Sequence, residues 1–76
     1  MTIVVSKCLD CRGMDVFVSI LKLPAALAPL RKGEVLELLS DDPAAHLDIA
    51  AWSRLTGYKL LDIYAREDFT RFFIQK

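Results

Sequence analysis

Punctuation sets the limits on what this chain can fold into. Gly13, Gly33, Gly57 and the Asp42-Pro43 step cut its 76 residues into short apolar runs. None approaches the ~18 apolar residues needed to span a bilayer. Thr2 to Leu9 is β-branched and apolar with Lys7 its only charge, which predicts a strand. Asp10 to Asp15, containing Gly13, is the loop that ends it. Pro24 to Leu30, followed by Arg31-Lys32-Gly33, predicts a helix end with basic residues in the last turn and Gly at C′. Val35 to Leu39 is a short apolar run closed by Ser40-Asp41-Asp42-Pro43, a buried strand.

Asp42 before Pro43 supplies an N-cap and a proline at the first helical position. Ala45, Ile49, Trp52 and Leu55 then recur at helical spacing and predict one buried face, with Gly57 closing the helix. Tyr58 to Ala65 and Phe69 to Gln75 alternate as strands around Arg66-Glu67-Asp68, a hairpin with a short polar loop. Thr70, Phe72 and Ile74 share one face of the last strand; Phe69, Arg71, Phe73 and Gln75 share the other. By the same alternation the open sheet face carries Tyr58, Leu60, Tyr64, Phe69 and Phe73. So apolar a face makes self-association through it an expectation.

Residues 16–23, Val-Phe-Val-Ser-Ile-Leu-Lys-Leu, leave two readings open. They are rich in strand formers. They also place Val16, Ile20, Leu23, Leu27 and Leu30 on one helical face, at the cost of Pro24 inside the helix. An interior proline costs about 3 kcal/mol and bends the axis.

Seventy-six residues make one small domain, residues 1–76, of a size that buries only about 60% of its unfolded surface. An apolar fraction of 54% compensates for the short length. Ten basic residues balance ten acidic ones and are scattered along the chain, so neither direct nucleic-acid binding nor attraction to a membrane surface is expected. The N-terminus lacks the basic region and small-residue cleavage site of a signal peptide, so a cytoplasmic location, where thiols stay reduced, is the default expectation.

Leu9-Asp10-Cys11-Arg12-Gly13-Met14, Gly33-Glu34-Val35-Leu36, Asp42-Pro43, Asp48-Ile49, Trp52, Gly57 and Phe72-Phe73-Ile74-Gln75-Lys76 form a pattern without insertions over essentially the whole chain. That pattern resembles the TusA/SirA/YedF type of small bacterial sulfur carriers. The resemblance turns residues 16–23 toward helix, with a kink or late start near Pro24. It implies an α+β fold: a two-layer α/β sandwich of order β-α-β-α-β-β, with two helices on one face of a four-stranded mixed sheet. Such proteins carry sulfur as a persulfide on the cysteine of a Cys-Pro-x-Pro motif. They pass it from a cysteine desulfurase toward acceptors in tRNA thiolation or related sulfur metabolism.

Here the motif is gone. Val16 stands where the family has its cysteine, Phe17 and Ser19 replace the two prolines, Ala25 stands at a position usually Lys, and Ala50 replaces the proline after Asp-Ile. A thiol at a helix N-terminus is activated by the aligned peptide dipoles; a valine offers no nucleophile. The resemblance therefore implies a member of a sulfur-transfer system that acts by protein contacts. Its partner would be a cysteine desulfurase, a sulfurtransferase or a catalytic paralogue. Val16, Phe17 and Val18, apolar side chains in the first turn, are the candidate contact surface.

Two further readings stand beside that one: a carrier with Cys11, or else Cys8, as substitute thiol, and an interaction module unrelated to sulfur. Cys8 and Cys11 form a Cys-x-x-Cys, but extended residues three apart lie about 10 Å apart and a disulfide needs Cα atoms within roughly 7 Å. Cys11 falls on the core face with Ile3, Val5 and Leu9, and Cys8 on the opposite face. No metal site is expected, since only His46 adds to the pair and a structural site takes four ligands. No cofactor motif is present. Trp52 is read as the core anchor of the second helix, His46 as a solvated or capping residue, Asp10 with Arg12 as a local pair, and Asp15 as the cap of the first helix.

Overall fold

A computed structural model describes residues 2–76. The elements follow in the order β1 (Lys7–Asp10), α1 (Val16–Leu27), β2 (Val35–Ser40), α2 (Ala45–Thr56), β3 (Lys59–Ala65) and β4 (Thr70–Gln75). The four strands form one mixed sheet in the order β1-β2-β4-β3. β1 and β2 are parallel, and β4 runs antiparallel to both β2 and β3. It follows that β2 and β3 point the same way. Each helix returns against that direction, so α1 and α2 run parallel and start at the same end of the sheet. This is the two-layer α+β architecture that the resemblance implies.

The core lies between helices and sheet. Phe72 and Ile74 from β4 and Leu36 and Leu38 from β2 meet Leu23 and Leu27 from α1 and Ile49 from α2, all fully buried. Trp52 anchors α2 as expected, stacked on Tyr58 with ring centroids 5.5 Å apart. Gly57 closes α2 at φ +84°, a left-handed conformation that costs glycine nothing.

Several boundaries differ from the sequence reading, each for a local reason. The first strand begins at Lys7, not Thr2. Lys7 already pairs with Leu36, so earlier residues would face the turn before β2, and Ser6 reaches across with its N–H to the Val35 carbonyl and its hydroxyl to Glu34. α1 is a helix from Val16 with Pro24 inside it, and it ends at Leu27, so Gly33 is not its C′ residue. The cause is Pro29, which has no N–H to continue the ladder. Gly33, at φ +91°, instead makes the turn into β2 and donates its N–H to the Lys76 carbonyl.

α2 starts at Ala45, so Pro43 lies in the turn before the helix and Asp42 caps from outside it. Leu55, expected on the buried face, is 87% exposed. Two successive steps of three residues swing it about 80° off the line of Ala45. The open sheet face also differs. A β-bulge between Leu60 and Asp62 shifts the alternation, so Tyr58 and Leu60 pack against the core instead. Tyr64 and Phe73 remain on the open side beneath Arg71, whose guanidinium lies 5.8 Å and 5.1 Å from their ring centroids and pairs with Glu37. Phe73 is thereby 8% exposed, while Tyr64 stays 53% exposed on that face.

Candidate site at the N-terminus of the first helix

The site is built where β1 gives way to α1. Asp15 adopts an extended conformation and caps the helix, its Oδ1 accepting the Phe17 N–H at 2.7 Å and its carbonyl accepting the Val18 N–H at 3.0 Å. The Val16 N–H donates to Asp42 Oδ2 at 2.8 Å, and the Gly13 N–H lies 2.9 Å and 3.0 Å from the two oxygens of Asp41. Three aspartates thus take up the donors that a helix N-terminus and its approach would otherwise offer to an anion. The N–H groups of Val16 and Ala44 hold the Asp42 carboxyl below the usual carboxylate range.

The side chains of the first turn point in different directions. Val16 is 4% exposed and belongs to the core, whereas Phe17 is 64% and Val18 37% exposed. The structure therefore separates the expected surface trio: Val16 packs inward because it shares a helical face with Leu23 and Leu27, and it offers no contact surface. Ser19, on the same inward side, is fully buried and its Oγ has no hydrogen-bond partner among the described residues.

Neither thiol lies at this helix end in reactive form. Cys11 is fully buried in the core. Cys8 is exposed on the open sheet face, opposite Glu37 in the β1–β2 register. Partial burial, then the charges of Glu37 and Asp10, push its thiol pKa up, away from the thiolate a nucleophile needs. The Cys-x-x-Cys therefore places its sulfurs on opposite faces, and both are free. Asp10 pairs bidentately with Arg12, and the guanidinium hydrogen bonds lower its carboxyl to about 2. Arg12 also lies 5.1 Å from the Phe69 ring centroid. His46 is exposed, with its ring edge against Phe72 at 5.8 Å between centroids.

Among the described residues, no cluster of His, Cys, Asp and Glu could hold a metal ion, and no helix is long and apolar enough to cross a membrane. A cavity of about 640 Å³ lies at the far end of the sheet, between Ile3, Val4, Val35, Leu61 and Gln75, away from both thiols and from the α1 N-terminus. Sequence reasoning gave Asp42 its place at the start of the second helix but missed its acceptor role toward Val16, the acceptor role of Asp41 and the isolation of Ser19. The adjacent acidic pair directly before a helix was the available signal for the first two.

Three known proteins place this arrangement. The "Putative sulfur carrier protein YrkI" of Bacillus subtilis is 34% identical over 70 residues, covering 92% of this chain and 93% of its own. A protein of the same description from Archaeoglobus fulgidus is 30% identical over 67 residues, 88% of this chain and 92% of its own. YedF of Escherichia coli K12, again so described, is 41% identical over 51 residues, 67% of this chain and 66% of its own. The family model described as sulfurtransferase TusA matches residues 7–76, and with that span and these relatives the chain belongs to the TusA family.

Proposed function

We propose that this protein serves a sulfur-transfer system without itself carrying persulfide, and that it works through protein contacts made beside the α1 N-terminus. One observation carries the reading. At the position where the family's thiol is expected stands Val16, buried, with its N–H already bound by Asp42. A carrier thiol must attack the outer sulfur of a donor persulfide as a thiolate and take that sulfur while the donor leaves as a thiolate. Val16 has no atom for this step. Cys11 is out of reach in the core, and Cys8 sits on the other face of the sheet in a setting that disfavours its thiolate.

What remains at the helix mouth is Phe17 with Val18, an aromatic and a β-branched side chain in water. Such groups anchor protein interfaces. The chemistry of the family makes a cysteine desulfurase, a sulfurtransferase or a catalytic paralogue the fitting partner, met in the cytoplasm.

The test is direct. The protein is incubated with a cysteine desulfurase and cysteine, then examined by intact mass spectrometry for added sulfur that reductant removes. No labelling is expected, and labelling of Cys8 or Cys11 overturns the reading. Phe17→Asp is expected to abolish capture of relay proteins; unchanged capture removes Phe17 from the contact surface.

A further inference from the structure

Among the described residues, nothing covers the outward side of the helix layer. Between Val16 and Leu27 the only polar side chains of α1 are Ser19, which is buried, and Lys22, which is exposed. A helix so apolar around its circumference is normally covered on every side. Phe17 and Leu21, one turn apart on α1, are 64% and 63% exposed; Leu47 and Leu55, two turns apart on α2, are 79% and 87% exposed. Phe17, Leu21 and Leu47 lie away from the residues that each helix turns to the core, and Leu55, about 80° off the line of Ala45, lies at the flank of α2. The four side chains leave on the order of 500 Å² of apolar surface in water, against the ~800 Å² per partner of a standard interface. The rest of that area is within reach of the polar rim around them.

Charge decides what fits there. Because the helices run parallel, the end of the layer at their N-termini carries Asp15, Asp41 and Asp48, and the opposite end carries Arg31, Lys32 and Arg54, all exposed. A surface acidic at one end, basic at the other and apolar between is complementary to itself turned end for end. We propose that the outward face of α1 and α2 binds a second copy of this chain, with the two α1 helices antiparallel about a two-fold axis near Leu21. That axis sets Phe17 of one copy opposite Ala25 of the other, large against small, and Leu21 against its own counterpart. The proposal does not rest on the loss of carrier chemistry. It shares Phe17 with the relay surface, so a relay partner and the second copy compete.

Sedimentation velocity on the full chain tests it. Wild type is expected to sediment as a dimer whose dissociation constant rises with salt, because the two charged ends are screened. Leu21→Glu and Leu21→Lys, each with native circular dichroism, are expected to weaken the dimer at least roughly tenfold. Mixing the two variants restores it, since opposite charges then meet at the axis. A monomeric wild type at high micromolar concentration, dimeric single variants, or a mixture that stays monomeric each overturns the proposal. Persulfidation of a thiol would overturn the non-carrier reading and leave this one standing.

Discussion

Asp42 accepts the backbone N–H of Val16 on one carboxylate oxygen and that of Ala44 on the other, both at 2.8 Å. One side chain thereby ties the beginnings of both helices together across 26 residues of sequence. The parallel course of α1 and α2 makes this possible, since it brings their N-termini to the same end of the sheet. Two positive helix ends meet at one carboxylate.

Asp42→Asn is expected to lower the thermal midpoint, because the amide has only one acceptor oxygen for two donors. The same contacts set a pH dependence. The folded-state pKa of Asp42 is depressed, so between it and the unfolded value near ~3.9 the unfolded chain binds more protons. The stability this carboxylate contributes is complete above that unfolded value and is lost as pH falls through the folded one. Thermal melts of wild type and Asp42→Asn should converge on acidification below about pH 4.

Ser19→Ala is expected to stabilise the protein. The Ser19 Oγ is buried with no hydrogen-bond partner, and leaving a polar group in that state costs about 1–3 kcal/mol. Alanine is also the better helix former. A gain of about 1 kcal/mol corresponds to roughly 4–8 °C in midpoint for a domain of this size. An unchanged or lower midpoint in differential scanning calorimetry would show that the hydroxyl has a partner in solution.

Much of the fold was legible because its signals are local. Asp42-Pro43 and Gly57 bracket the second helix, and Trp52 was recognisable as its anchor. The errors lie where a single residue changes the geometry. Pro29 stops α1 before the basic residues that looked like its end, and the bulge after Leu60 turns Tyr58 and Leu60 inward. At the site, the valine at position 16 could be read directly from the sequence. The role of Asp42 toward Val16 could not, because their contact exists only once the β1-α1-β2 crossover has folded and brought the end of β2 to the start of α1.

Val16→Cys tests the proposed reading by placing a thiol at the mouth of α1. The substitution is expected to be tolerated, costing about 0.5–1.5 kcal/mol for the lost packing. The new sulfur, however, inherits a side chain that is 4% exposed beside the Asp42 carboxylate. Burial and a neighbouring negative charge both disfavour a thiolate. Iodoacetamide should therefore modify Cys8 faster than the introduced cysteine, as read by peptide mass spectrometry. Faster reaction at position 16 would show that the helix dipole outweighs both effects.

The two native thiols should differ sharply toward the same reagent. Cys8 is exposed and Cys11 fully buried, so one equivalent of thiol is expected under native conditions and two in denaturant. The rate at Cys8 should go on climbing with pH beyond the range of an ordinary thiol. Its raised pKa delays formation of the thiolate, chiefly through burial and then through Glu37. Glu37→Gln should increase the rate at neutral pH by removing the nearer negative charge. It also releases Arg71, whose positive charge acts on Cys8 in the same direction. If native reaction instead consumes both thiols at equal rates, Cys11 is reached by an opening of β1 away from β2. The buried-thiol argument against a substitute carrier would then fail.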